Sequence, residues 1–214
     1  MVDCDLKAVL VGLAFVLCSC VPGQHAGPQG TPVSAKGIVL QAQDLPAMQK
    51  CPQSDKWAGL MLSGQPEMLP TGMASWSTLQ TAGATDGWMS LYADDVGECP
   101  LLLGNAIPKG RLVYTAVIKF KSSPSAAADF ATDSQNFPVA PDFSARFSAA
   151  GGVLARGAST GLGDNSVVAT ITLRGVPTYV VFWQNRSFEA VVYASNVSAS
   201  EGSSAATRMN GRIH

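Results

Sequence analysis

The 214-residue chain is poor in the residues from which most catalytic and metal sites are built. It has two histidines, His25 and His214, and five cysteines with no metal-binding spacing. Charged residues make up 14% of the chain and the formal net charge is −1, whereas nucleic-acid binding requires an excess of positive charge. These shortages predict no metal site, no cofactor and no nucleic-acid partner.

Long apolar runs are also scarce, and the clearest one lies near the N-terminus. Residues 8–17 form a ten-residue run, which is too short to span a bilayer and has the size of the apolar core of a signal peptide. It ends in the letters LCSC, which resemble the bacterial lipobox, whose last residue, here Cys20, receives the lipid. We therefore expect residues 1–19 to be a signal peptide and Cys20 to carry palmitate-type acyl chains. An ordinary secretory signal cleaved nearby is the alternative.

Cysteine usage agrees with export. Cys4 and Cys18 would leave with the signal peptide and Cys20 would be acylated, so Cys51 and Cys99 are the two thiols left in the folded part. In an oxidising compartment two such thiols are expected to pair, which predicts a Cys51–Cys99 disulfide. Two buried free thiols are the alternative.

Strand signals are strongest towards the C-terminal end of the chain. Three apolar runs, at 166–173, 178–183 and 188–194, are joined by short polar turns, which only antiparallel neighbours allow. The middle run is apolar on both faces between residues 179 and 183, and this predicts that it lies inside the sheet with both faces covered.

Helix signals flank these strands. Ser123 is predicted as an N-cap with Pro124 in the first helical position of a helix that reaches Phe137. Ser198 and Glu201 have the spacing of a capping box and open a last helix. Weaker signals predict further elements: strands at 37–40, 57–62, 88–93 and 112–120, and a helix at 71–82.

The predicted fold class is α+β, with an antiparallel β-sheet and helices packed on one face. Residues 20–36 are rich in Gly and Pro and are expected to form a flexible tether, whereas residues 37–214 are expected to form a single α+β domain. The same order of elements, a long strand, a Ser-containing joint and an Ala-rich helix, occurs at 111–137 and again at 188–213. This repeat suggests an internal duplication. We expect these two Ala-rich helices to cover the same face of the sheet.

One motif has a catalytic interpretation. The letters GASTG at 157–161 match the G-x-S-x-G nucleophile elbow of α/β-hydrolases, in which a strand precedes the Ser and a helix follows it. Here a predicted strand follows Ser159, and the one histidine after the tether, His214, is the last residue. We predict that the protein is not an enzyme and has no catalytic residue. An extracytoplasmic serine hydrolase that uses Ser159 is the alternative.

Two other groups of residues could either bind a ligand or have a purely structural role. Asp94, Asp95 and Glu98 lack the spacing of a calcium loop, so a solvated turn is predicted. Aromatic residues at strand spacing could line a groove for an apolar or sugar ligand, but core packing is the more common role of such residues. These aromatic residues are Trp76, Trp88, Tyr92, Tyr179 and Trp183.

The order of these segments resembles a known class of domain. The letters GLGDNSV at 161–167, then YVVFWQNRSFEAVVYAS at 179–195 and an Ala-rich terminal helix are similar to small bacterial surface lipoproteins and to extracellular sensor-like domains of bacterial receptor kinases. Residues 42–46, with the letters AQDLP, also resemble a segment of these proteins. The resemblance implies an antiparallel sheet with helices packed against it and a binding or accessory role. We expect a non-enzymatic lipoprotein, anchored on the extracytoplasmic side of the cell membrane, that binds a small apolar ligand or an envelope protein.

Lipidation can be tested at one residue. Replacing Cys20 by Ser removes the thiol that would carry the lipid, so the Cys20→Ser protein should leave the membrane fraction. Mass spectrometry of the wild-type N-terminal peptide should find an acylated Cys20. An unmodified peptide, together with a variant that stays bound to membranes, would refute the lipoprotein interpretation.

Overall fold

The computed structural model describes residues 33–63, 75–103, 108–135 and 147–214. Residues 1–32, including Cys20 and most of the predicted tether, lie outside the described part, and so does Phe137. In the described ranges no helix is long and apolar enough to cross a membrane.

Seven strands form one antiparallel sheet. They are β1 (Gln49–Lys50), β2 (Ala84–Ala93), β3 (Leu112–Phe120), β4 (Val153–Arg156), β5 (Ser166–Leu173), β6 (Val176–Asn185) and β7 (Phe188–Ser195). Their order across the sheet is β1-β2-β3-β7-β6-β5-β4, so β3, β7 and β6 lie in the middle. The α+β class and the antiparallel sheet are confirmed.

The last three strands form the meander that the sequence predicts. Strand β6 lies between β5 and β7, and Val181 pairs with Val168 on one side and with Val192 on the other. Both connecting turns contain residues with positive φ, which tight turns between antiparallel strands require. These residues are Arg174 (51°), Gly175 (83°) and Arg186 (52°).

The helices are α1 (Ala35–Ile38), α2 (Gln53–Ser63), α3 (Trp76–Ala82), α4 (Ser123–Gln135) and α5 (Ala199–Asn210). Helix α5 begins with the predicted capping box, because the Ser198 hydroxyl accepts from the Glu201 N–H and the Glu201 carboxylate accepts from the Ser198 N–H. Helix α4 is capped one residue earlier than predicted: the Ser122 hydroxyl accepts from the Ser125 N–H at 3.2 Å.

Helix α5 covers one face of the sheet, which we call the α5 face. Its small residues let it approach closely, and a Cβ atom added to Gly202 would come within 2.5 Å of the Tyr179 ring. Met209, on the same helix, is fully buried in the cluster that fills this face. Residues of the central strands in that cluster are Val113, Val117, Tyr179, Val181, Trp183, Phe188, Ala190, Val192 and Ala194.

Helix α4 covers the opposite face, which we call the α4 face. The Phe130 ring of α4 stacks on the Phe182 ring of β6 with the ring centroids 4.9 Å apart. Successive residues of a strand point to opposite faces, so Phe182 and its neighbour Val181 cannot contact the same helix. Ala126, also on α4, is buried with Tyr114, Leu112 and other residues of this face.

The prediction that both Ala-rich helices cover the same face is therefore wrong. The physical reason lies in the central strands, which are apolar on both sides and need an apolar cover on each. One helix can bury only one of these faces, so α4 and α5 divide them. Strand–helix order does repeat, as β3–α4 and β7–α5, but the internal duplication stays a prediction.

Two short strands predicted in the N-terminal half are absent. Residues 37–40 belong partly to α1, where the Ser34 side chain accepts from the Gly37 N–H and Ile38 is fully buried. Ala35 donates its N–H to Asp86 of β2 at 2.8 Å, so the folded unit begins at Val33, within the segment predicted as tether. Residues 57–62 lie in α2 and not in a strand. The helix predicted at 71–82 is present from Trp76 and ends at Gly83, which has a φ of 106°.

A disulfide joins Cys51 and Cys99, with their Cα atoms 5.8 Å apart. This is the pairing that the cysteine count predicts. Both residues are buried on the α4 face beside α3. The bond closes a loop with a sequence separation of 48 residues. On the chain-entropy model, closing a loop of that length stabilises the fold by roughly 4 kcal/mol.

Candidate functional site

Ser159 is not part of a hydrolase site in the described structure. Its motif forms a single 3₁₀ turn, Gly157–Thr160, between β4 and β5, so a strand follows it where the elbow needs a helix. The Ser159 hydroxyl is exposed and donates to the Arg156 carbonyl of its own turn at 2.9 Å. The Ser159 hydroxyl therefore stabilises its own turn through this hydrogen bond.

The acidic group at 94–98 stabilises a turn, as the sequence predicts. Asp94 accepts hydrogen bonds from the backbone N–H and the guanidinium of Arg111, and these bonds lower the pKa of the Asp94 carboxyl. Glu98 accepts from the backbone N–H groups of Lys109 and Gly110 at 2.9 Å each. Two of the three carboxylates therefore hold the loop that precedes β3.

The aromatic residues are divided between the two faces of the sheet. Trp183, Tyr92 and Tyr179 are buried on the α5 face, and half-buried Trp88 packs beside them. Trp76 is buried on the α4 face. The five side chains therefore form no common groove, and their role is core packing.

A groove of about 240 Å³ lies beside the first two turns of α5. Its floor is apolar and is formed by Met48, Val113, Ala194, Val197 and Ala205. One wall is the first turn of α5, and the opposite wall is the segment that contains Asp44 and Pro46. The groove thus combines an apolar floor with the positive end of a 12-residue helix.

Four charged residues stand around this groove: Asp44, Arg111, Glu201 and Arg208. Asp44 is buried and forms an ion pair with Arg212, Arg111 pairs with Asp94, and the capping contacts with Ser198 lower the pKa of Glu201. Arg208 donates to the Asp44 backbone carbonyl. Among the residues that the structure describes, no carboxylate lies within ion-pair distance of Arg208.

A second candidate site lies under α4. Asp129 and Asp133 are one helical turn apart on α4, and Glu189 is the β7 residue below them on the α4 face. One carboxylate oxygen from each of the three lies within 4.8 Å of the others, which is close enough for a shared metal ion. Glu189 is only 4% exposed.

This cluster disfavours negative charge. Burial, together with the neighbouring carboxylates of Asp129 and Asp133, raises the pKa of Glu189 to about 9. Partial desolvation of the carboxyl groups also raises the pKa of Asp129 and of Asp133, although the Asp133 side chain as a whole is exposed. Without a cation, Glu189 is therefore protonated at neutral pH.

The sequence pattern alone does not predict this cluster. Its members are far apart in the sequence and meet only because α4 crosses β7. A signal was present, however, since Glu189 alternates with Val191 and Tyr193 on one face of a strand whose other face is wholly apolar. A charged residue in such a central strand is rare unless it has a partner.

The pKa of Glu189 makes the free energy of unfolding depend on pH. In the unfolded chain Glu ionises near pH 4, so between about pH 4.5 and 9 unfolding releases a proton and is favoured as the pH rises. We predict that wild-type stability in urea, with a chelator present, falls by up to roughly 1.4 kcal/mol per pH unit between pH 5.5 and 7.5. Glu189→Gln should remove most of this slope, whereas Asp164→Asn, at an exposed bend, should keep it. Equal slopes in all three proteins would contradict the burial of an acidic proton at Glu189.

Comparisons with known proteins bear on the fold. No protein-family model and no curated protein matches the chain. The fold is similar to that of the crystal structure of the extracellular domain of PknH from Mycobacterium tuberculosis, with a TM-score of 0.50 and 13% identical residues. The similarity covers 85% of this chain and 97% of that one. At this identity it shows the fold alone: the chain has an α+β fold that is also found in the extracellular domain of a mycobacterial receptor kinase.

Proposed function

We propose that the protein is a non-enzymatic lipoprotein on the extracytoplasmic side of a bacterial membrane, and that it binds a small amphiphilic ligand or an envelope protein in the groove beside α5. The groove is the observation that carries the binding role. It joins an apolar floor to a guanidinium group, Arg208, that no described carboxylate neutralises.

The extracytoplasmic location is supported by two independent observations. The Cys51–Cys99 disulfide is a bond that forms in oxidising compartments and is rare in reducing ones. The fold is one that an extracellular domain also has. Neither observation depends on the signal peptide, which is inferred from the sequence alone.

Lipid anchoring is proposed from the LCSC ending of the apolar run. Cys20 is 13 residues before Val33, the first residue of the folded unit. A chain of that length spans at most roughly 45 Å when it is fully extended. An acylated Cys20 would therefore keep Val33, the start of the folded unit, within that distance of the membrane surface, where amphiphilic molecules and envelope proteins are found.

The size and charge of the groove limit the ligand. A volume of about 240 Å³ is below the range of roughly 300 to 1,000 Å³ that holds a drug-sized molecule, so it suits a short acyl chain or one protruding side chain. The guanidinium of Arg208 favours an anionic or carbonyl head group, because charge-assisted hydrogen bonds are the stronger ones. A short fatty acid satisfies both requirements and is a suitable probe.

Binding can be tested with octanoate by NMR on the protein in a detergent that leaves the groove free. Octanoate should shift the amide signals of Val113, Ala194 and Gly202 in a saturable way. Arg208→Ala should weaken binding about tenfold or more, which corresponds to one charge-assisted hydrogen bond. Ser204→Trp should abolish it, since Ser204 lines the groove.

Thr207→Trp is the matched control, because Thr207 is exposed on the same helix and does not line the groove. It should bind octanoate as the wild type does. Saturable shifts that persist in Ser204→Trp, or no shift at these three amides at millimolar octanoate, would refute the groove as the binding site.

A further inference from the structure

The carboxylate cluster under α4 has a feature that the proposed function does not use. Glu189 lies in the central strand β7, with Ile118 of β3 and Gln184 of β6 as its cross-strand neighbours. Helix α4 covers it, held in place by the stack of Phe130 on Phe182. A carboxyl group is thus fixed in a central strand, between the sheet and a helix.

The buried oxygens of this cluster lack partners. Among the described residues, neither Oε1 of Glu189 nor Oδ2 of Asp129 has a hydrogen-bond partner, although both atoms are buried. Leaving such a polar atom buried and unpaired costs about 1 to 3 kcal/mol, and more when it is charged. A cation held by the three carboxylates would satisfy both of these atoms.

The spacing suits one particular class of ion. If three oxygens lie at most 4.8 Å from one another, a point between them is at most about 2.8 Å from each. Small inward rotations of the side chains bring this to the 2.3 to 2.6 Å of calcium–oxygen bonds, whereas magnesium requires about 2.0 to 2.1 Å and a regular octahedron. Oxygen ligands alone also disfavour zinc and copper, which prefer His and Cys.

We propose that Asp129, Asp133 and Glu189 form a calcium-binding site that joins α4 to the sheet. Asp133 is exposed, so the ion can enter from solvent and water can complete its coordination. Asp129 and Glu189 hold the inner side of the ion. The sequence predicts no metal site, because its His and Cys residues and the acidic group at 94–98 have no ligand spacing. The proposed site lies on the face of the sheet opposite the groove.

Isothermal titration of the detergent-purified protein with calcium chloride, after chelator treatment, tests the site. The wild type should bind one calcium ion with a dissociation constant below about 1 mM, the range of extracellular calcium modules. Glu189→Gln and Asp133→Asn should each weaken binding at least tenfold. Asp133 is exposed, so the Asp133→Asn protein is expected to fold even if the Glu189→Gln protein does not.

Asp164→Asn removes one carboxylate from an exposed bend and should leave calcium binding unchanged. Calcium should also raise the melting temperature of the wild type and of this control, but not of the two ligand variants. The proposal would be overturned if no saturable binding occurred up to about 10 mM calcium, ten times the weakest of the extracellular sites. Binding that survives in both ligand variants, or magnesium binding that is tighter than calcium binding, would overturn it equally.

Discussion

The structure depends on the burial of both faces of its central strands. Val117, Val181 and Val192 are fully buried on the α5 face, and Leu112 and Phe120 of β3 are buried on the α4 face. A sheet that is apolar on both sides is stable in water only when each side is covered. Helices α4 and α5 provide these covers, and α3 packs with the Cys51–Cys99 disulfide in the cluster of the α4 face.

This arrangement creates both candidate sites. The α5 cover leaves a groove at its first turns, where the helix meets Asp44 and the floor residues Val113 and Ala194. The α4 cover encloses Glu189, because that strand position faces the helix. The two sites lie on opposite faces of the same central strands, so a change in one cover leaves the chemistry of the other intact.

Local patterns in the sequence are sufficient for much of the fold. Alternating residues in 166–194 predict the three-stranded meander, and the spacing of Ser198 and Glu201 predicts the start of α5. Short apolar runs are harder to assign, because residues 37–40 and 57–62 have no clear period that separates helix from strand. A local signal favours a helix at the first of them, since Ser34 is the N-cap of α1.

Long-range features could not be read from the sequence. Both Ala-rich helices have an apolar stripe, but a stripe does not tell which face of a sheet it covers. Since β3 and β7 are antiparallel neighbours, α4 and α5 begin at opposite ends of the sheet, and each crosses its own face. The cluster of Asp129, Asp133 and Glu189 follows from this crossing, so it becomes visible only when the helix has been placed.

A double-mutant cycle tests the two-sided sheet most directly. Phe130→Ala and Phe182→Ala should couple by about 0.5 to 1.5 kcal/mol in the free energy of unfolding, because the two rings stack. Met209→Ala and Phe182→Ala should be additive within about 0.5 kcal/mol, since the two residues lie on opposite faces. Coupling of Phe182 with Met209, and none with Phe130, would contradict the account.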